Sequence, residues 1–432
     1  MRVLLTSHGS IGDIYPMIAY GKALKEAGHY VTFASAPLYQ DELSRAGLNY
    51  VHLPPDWEQE IFTEFMRELD RRKNPILQLK EIYKGAVPFL SELLDRIDEA
   101  LEDHEVLVSS YLFPNYKVIA EKQGKPFATF AFCHNTIPSP DYPPELVPAL
   151  KYFPQSIQAV WNMFFWRLSN TVVDRTINSV IGKELARKKL PLAKNFLIHP
   201  CDLVLTAVSQ VLMSDRGKSK DIFKFTGFLR WQSKESEGEE KRLSAFRQGQ
   251  QVPVLTFGSV AFDDTHSIMS RFEKNWPPGK KIIVQTGWSG LSVEVERPDI
   301  LVVGKMSHDQ LFRHASCVIH HGGAGTTASV LSSGRPHIII PHIADQNFWG
   351  SEIERLGVGV VLKKRKWPEK LLSRVQMIEE SDCFRERAVE VQATLLNEDG
   401  PENAVRTLES FVAKYSDRLR KRLSAATLSA EG

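Results

Sequence analysis

Ile319-His320-His321-Gly322-Gly323-Ala324-Gly325-Thr326-Thr327 decides the fold of this chain. A short apolar run, Val318–Ile319, leads into it, and a helical pattern marked by Ala328, Val330 and Leu331 leaves it. Small residues at such a turn let the backbone approach a ligand closely. The helix that begins there offers unpaired N–H groups and a partial positive charge. That combination suits a phosphate. The turn lacks the Gly-Lys-Ser/Thr ending of a P-loop and the G-x-G-x-x-G spacing of a dinucleotide site. Without a ligand, the same glycines would serve only to pack a strand closely against a helix.

Working outward, His337–Ile340 reads as a strand that ends in Pro341-His342-Ile343-Ala344-Asp345-Gln346. A carboxylate beside an amide at a strand's carboxyl end suits the vicinal hydroxyls of a sugar, and open parallel sheets bind ligands at that edge. A helix cap is the plainer reading of the same pair. Val254–Phe257, Ile282–Gln285, Leu301–Val303 and Val360–Leu362 complete a series of apolar runs separated by helical stretches. Such a series predicts a parallel sheet covered on both faces. The amino-terminal half shows the same organisation. Val3–Thr6 breaks at Ser7-His8-Gly9-Ser10-Ile11-Gly12-Asp13, a helix with Met17, Ile18 and Leu24 stops at Gly28, and Val31–Ala34 follows. Val106–Val108, Phe127–Phe132 and Leu203–Val208 extend that sheet.

The expected organisation is an amino-terminal domain over 1–222, a linker over 223–250 containing the charged run 233–241, a second α/β domain over 251–400, and an amphipathic helix over 401–432 crossing back to the first domain. In that helix Leu408, Phe411, Tyr415, Leu419 and Leu423 share one face. Lys414, Arg418, Arg420, Lys421 and Arg422 on the other face would meet anionic lipid.

Composition removes other classes. Of 432 residues, 43% are apolar and 25% charged, as in an ordinary globular protein. Lys+Arg 54 against Asp+Glu 52 is too even for a dedicated nucleic-acid binder. Cys133, Cys201, Cys317 and Cys383 form no C-x-x-C pair, so neither a disulfide framework nor a cysteine zinc site is expected. A cytoplasmic setting fits. Val3-Leu4-Leu5 is too short for a signal peptide, and no run spans a bilayer, so contact with the inner membrane face would be peripheral.

His320-His321-Gly322-Gly323-Ala324-Gly325-Thr326-Thr327, then Pro341, Asp345-Gln346, Phe348-Trp349-Gly350 and Leu356-Gly357-Val358-Gly359 resemble the nucleotide-sugar motif of the GT-B, family 1 glycosyltransferases. The sterol glucosyltransferase and rhamnosyltransferase branch is the most similar. Gly9-Ser10-Ile11-Gly12-Asp13-Ile14-Tyr15-Pro16, Phe257-Gly258-Ser259, Gly287-Trp288-Ser289 and Val303-Gly304-Lys305-Met306-Ser307-His308-Asp309 match the same branch. The likeness is dense over 254–360 and sparse over 40–200.

The resemblance implies an α/β protein of the GT-B fold, with two Rossmann-like domains whose parallel sheets face a central cleft. It implies an inverting hexosyltransferase that moves a hexose, glucose foremost, from a UDP- or dTDP-sugar to a hydroxyl of a hydrophobic acceptor. His320 and the Gly322, Gly323, Ala324, Gly325 and Thr326 backbone would hold the diphosphate, with Ser259 beside them. Met306 and His308 would border the base. Asp345 and Gln346 would bind the sugar, and Gly12 and Trp288 join the donor set. Asp13 occupies the position of the general base, with no metal or other cofactor implied. Lys305 stands where plant members stack Trp on uracil, and Ala328 where they carry an acidic ribose contact.

Asp13 also precedes a helix with Pro16 in its first turn, so it reads equally as a cap, and a helix N-terminus lowers a carboxylate's pKa. His8 is the alternative base. For the acceptor, Tyr152, Phe153, Trp161, Phe164, Phe165 and Trp166 form an aromatic stripe that reads as core or as a site. Trp161 and Phe165 are its candidate contacts with a lipid, sterol or polyketide-like alcohol. A sugar-nucleotide epimerase, a non-catalytic sugar-nucleotide or lipid binder and an NAD oxidoreductase are the rival readings.

Overall fold

In the computed structural model the chain is described over residues 1–72, 74–150, 152–213, 222–231, 237–257, 265–286, 297–304, 306–342 and 345–430. Strands β1 (Arg2–Thr6), β2 (Tyr30–Ser35), β3 (Asn49–His52), β4 (Val106–Ser110), β5 (Phe127–Ala131), β6 (Leu203–Thr206) and β7 (Phe223–Phe225) form one sheet in the order β3-β2-β1-β4-β5-β6-β7. Strands β8 (Val252–Thr256), β9 (Ile282–Gln285), β10 (Ile300–Val303), β11 (Ala315–His320), β12 (His337–Ile339) and β13 (Gly359–Val361) form a second, in the order β10-β9-β8-β11-β12-β13. Every pairing is parallel. The central strands β4, β5, β6, β8 and β9 are buried along their whole length, as helices on both faces require.

Each sheet is doubly wound and changes winding direction once, between β1 and β4 and between β8 and β11. A crevice opens at the carboxyl ends of the strands at such a point. β1 runs into residues 7–10 and helix Ile11–Glu26; β11 runs into residues 321–323 and helix Ala324–Ser332.

Two strands fall outside the expected set. β3 and β7 are the edges of the first sheet, and β7 lies in the stretch expected to be a linker. Helix Glu237–Arg247 occupies much of the remainder, its Leu243 buried with Val252, Val254 and Phe312 of the second domain. The connection between domains is therefore shorter than 223–250.

Helix Gly400–Ala430 lies on helix Ile11–Glu26 and buries Ala404, Val405 and Leu408 in the core of the first domain. Asn403 Nδ2 donates to the Thr226 carbonyl at 3.1 Å, and His29 Nε2 meets Glu409 Oε1 at 3.0 Å. The domains also touch directly: the His134 ring stacks on Phe348 at 3.8 Å and 8°. Among the described residues no helix is long and apolar enough to cross a membrane.

Candidate active site

One wall of the cleft is built on the turn after β11. Gly322 has φ +89°, and a Cβ there would sit 2.7 Å from Ile339 Cγ2, so only glycine closes the strand onto the helix. Gly323 is the cap of helix Ala324–Ser332 and makes no side-chain cap bond. The amides at the start of that helix therefore have no side-chain cap, and N–H groups at a helix N-terminus suit an anion.

The two histidines before the glycines behave differently. The Gly322 N–H donates to His320 Nδ1 at 3.1 Å, so the His320 proton sits on Nε2, which lies 3.0 Å from His337 Nδ1. Both rings are fully buried, and burial holds His320 well below the usual histidine range and His337 at about 3. His320, the residue expected at the diphosphate, has both ring nitrogens committed inside the protein. It is the last residue of β11, whereas His321 is the first residue of the loop. His321 Nδ1 is buried without a partner among the described residues, and a Cβ at Gly323 would collide with Nε2. Burial, with His308 adding repulsion, lowers the His321 pKa to about 4, so the ring is neutral and can donate from one nitrogen.

His308 stacks on Phe312 at 4.7 Å, and Met306 is buried with its carbonyl accepting from Gln285 Nε2 at 3.1 Å. Thr326 is buried in the first turn of the helix, while Gly325 is exposed. Asp345 begins helix Gln346–Leu356 and accepts from Trp349 Nε1 at 2.7 Å. Burial raises its pKa to about 6. Gln346 Oε1 accepts from the His342 N–H at 2.7 Å, and the Gln346 carbonyl abuts Gly322. The glycine turn and the Asp-Gln pair thus form one wall. Ser259 and Trp288 lie outside the described residues.

The opposite wall comes from β1. Ser10 caps helix Ile11–Glu26, and the Ser10 N–H and Oγ both donate to Asp13 Oδ2, at 2.9 and 3.2 Å. Asp13 is therefore the third residue of the helix rather than its cap, and the Gly12 N–H donates to Ser10 Oγ at 3.2 Å. The expectation that the helix end lowers the Asp13 pKa is overturned. Burial outweighs the Ser10 hydrogen bonds and raises it to about 6, with Asp345 across the cleft adding repulsion. Gly9 has φ +111°, and a Cβ there would strike Asp13 Oδ2, so Gly9 is what lets the carboxylate lie flat against the loop. His8 Nε2 is 2.8 Å from the Tyr116 hydroxyl, and burial lowers its pKa to about 4.

Asp13 and His8 open onto a cavity of about 240 Å³. Its walls are apolar: Trp57, Phe62, Phe65, Met66 and Leu69 on one side, Ile82, Gly85 and Ala86 on another, Leu112 and Phe113 beneath. Phe62, Phe65, Met66 and Leu69 recur at helical spacing along helix Gln59–Arg71, and helix Pro75–Ala86 supplies the next wall. None of these residues belongs to the expected acceptor set. Trp161 and Phe165 do not line this cavity. They lie half-buried on helix Gln155–Arg187, whose inward stripe is Asn162, Trp166, Asn170 and Val173.

Two family models match the chain. The glycosyltransferase family 28 N-terminal domain covers residues 3–91, and the C-terminal domain of erythromycin biosynthesis protein CIII-like proteins covers 282–411. The glycosyltransferase GtfE of Amycolatopsis orientalis is 28% identical over 83% of this chain and 85% of its own length. A sterol 3-beta-glucosyltransferase of Candida albicans is 27% identical over 84% of this chain and 24% of its own. The kitacinnamycin glycosyltransferase structure superimposes with a TM-score of 0.67 at 17% identity, over 95% of this chain and 98% of that one. Two doubly wound parallel sheets agree with these matches: the chain has the GT-B fold, with a glycosyltransferase family 28 N-terminal domain and a C-terminal domain of the erythromycin biosynthesis protein CIII-like kind.

Proposed function

We propose that this enzyme moves a hexose, glucose foremost, from a UDP- or dTDP-sugar to a hydroxyl of a hydrophobic acceptor, with inversion. The observation that carries the reading is Asp13 at the mouth of an apolar cavity, facing Asp345 across the cleft. The acceptor hydroxyl attacks the anomeric carbon as the nucleoside diphosphate leaves, and Asp13 takes the hydroxyl proton. The amides that open helix Ala324–Ser332 meet the charge on the diphosphate. His321 donates to it from a neutral ring, in the role the resemblance gave to His320. Asp345 and Gln346 hold the sugar hydroxyls, and Met306 and His308 border the base. No metal enters this scheme. The apolar walls fit a lipid, sterol or polyketide-like alcohol, and the protein would meet a membrane from its side.

Two measurements test it. Thermal shift against UDP and dTDP is expected to show about 2.7 kcal/mol of stabilisation at 100 times Kd. His321→Ala is expected to weaken that binding by about 10- to 100-fold, the range for a hydrogen bond to a charged group. Unchanged affinity in His321→Ala removes the ring from the diphosphate site, and no shift with any nucleotide removes the transfer reading. On the acceptor side, a Cβ at Gly85 would lie 3.2 Å from Phe65 and 3.7 Å from Trp57. Gly85→Leu fills that space on a helix that tolerates leucine better than glycine. KM for an apolar acceptor should rise about tenfold or more while KM for the donor stays put. An unaltered acceptor KM would place the acceptor elsewhere.

A further inference from the structure

Helix Gln155–Arg187 is inverted along its first half. Its inward positions carry Asn162 and Asn170, which are 1% and 5% exposed. Asn162 Nδ2 donates to the Pro140 carbonyl at 2.8 Å, and Asn170 Oδ1 accepts from the Leu197 N–H at 2.9 Å. Its outward positions carry Ile157, Val160, Phe164, Leu168 and Val172, spaced three or four apart so that they form one stripe. Val160 is 72% exposed and Phe164 58%, and Tyr152 and Phe153 extend the exposed apolar surface before the helix begins. A continuous apolar stripe on the outside of a folded domain marks a contact surface.

The charges say what kind. From 155 to 173 the helix has one ionisable residue, Arg167, and it is exposed. Asp174, the next, turns its carboxylate to the N–H groups of Asn195 and Phe196, at 2.8 and 3.0 Å. Arg175 beyond it is again exposed. The stripe is therefore bordered by arginines, with the nearest acid already engaged. A second copy pairing through this face would bring the same arginines to the contact and offer them no counter-charge. An anionic lipid surface offers both an apolar interior for the stripe and phosphates for its border. The helix also packs on helix Pro75–Ala86, whose Ile82, Gly85 and Ala86 line the cavity at Asp13.

We propose that residues 152–172 seat this enzyme on the surface of an anionic membrane, with the stripe Ile157–Val160–Phe164–Leu168–Val172 inserted at the headgroup boundary. This names the surface for the peripheral contact proposed above. It puts the acceptor cavity one helix layer from the lipid, where a poorly soluble alcohol is delivered without crossing water.

Co-sedimentation with phosphatidylcholine vesicles containing phosphatidylglycerol tests it on the full chain without any turnover. Wild type should pellet with these vesicles. The triple variant Val160→Ser, Phe164→Ser, Leu168→Ser should lose at least about 30-fold in partitioning, with its melting temperature unchanged because those side chains contact solvent. Arg167→Gln with Arg175→Gln should lose about tenfold or more and should erase the preference for anionic over neutral vesicles. Equal pelleting of the triple variant, or none by wild type, overturns the proposal. So does a wild-type dimer in sedimentation velocity that the triple variant abolishes, which would give the face to a second copy. Turnover of the triple variant on a water-soluble acceptor should match wild type. Loss of vesicle binding with that turnover intact therefore leaves the transfer reading standing.

Discussion

Asp13→Asn is expected to lower turnover by about 10²- to 10⁴-fold, the range for removing a general base, with donor affinity near wild type. The amide keeps the geometry, because an oxygen in the place of Oδ2 still accepts from the Ser10 N–H and Oγ. What it loses is the ability to take a proton. The pKa of about 6 makes this group a better base than an ordinary surface aspartate, and better than His8 at about 4. It also predicts a pH profile in which turnover rises as pH passes through about 6, where the carboxylate forms. A second consequence has the opposite sign. At neutral pH the protein holds a buried negative charge that burial disfavours, and Asn removes it. The variant should therefore be more stable than wild type, by about 1–2 kcal/mol once the partial opening of Asp13 to the cleft is discounted. A dead enzyme with a raised melting temperature distinguishes a catalytic carboxylate from a structural cap, whose loss lowers stability. Near-normal turnover at pH 7.5 to 8 would end the assignment of Asp13 as base and return the role to His8.

Much of this was legible in the sequence, and the gaps have physical causes. The buried strands announced themselves because a parallel strand covered on both faces reads as an unbroken apolar run between loops rich in glycine. β3 and β7 did not, because they are sheet edges: Asn49 and Lys224 are exposed, and three or four residues carry too little pattern. The glycine turn was legible because positive φ and close approach leave no other residue. Which of two adjacent histidines has its ring nitrogens engaged inside the protein was not, since one residue of strand parity decides it. Asp13 stood out by its place in a motif, but its raised pKa did not, because that depends on burial in the folded chain. The apolar cavity at Asp13 was least visible. Phe62, Phe65, Met66 and Leu69 make an amphipathic helix face, and that pattern is identical whether the face meets a core or an empty pocket. The more conspicuous aromatics at 161–166 drew attention to a helix that does not line the cavity at Asp13.

The largest effect on the molecule as a whole should come from mild acid. His134, His320, His321 and His337 are all less than a tenth exposed, and burial holds each pKa far below the ordinary 6.5. Their sign is the same. The unfolded chain takes up protons at these residues near pH 6.5 and the folded chain does not, so the neutral rings stabilise the fold fully above that pH and progressively less below it. Each costs about 1.4 kcal/mol per pH unit on the way down. Four such groups acting together make the loss below pH 6.5 a substantial part of the stability of a typical domain. Asp13 and Asp345 act the other way, since their folded pKa values are raised to about 6 and they take up protons in the folded state first. Two groups shifted less, and partly open to the cleft, offset only part of the loss. The expected result is a melting temperature that is flat from pH 8 to 7 and falls as pH drops below 6.5. In the folded protein the His320–His337 pair should charge after His321, whose pKa of about 4 lies above that of His337 at about 3. A melting temperature unchanged down to pH 5 would mean these rings find water or partners as they charge, and the buried chain behind the glycine turn would lose its structural role.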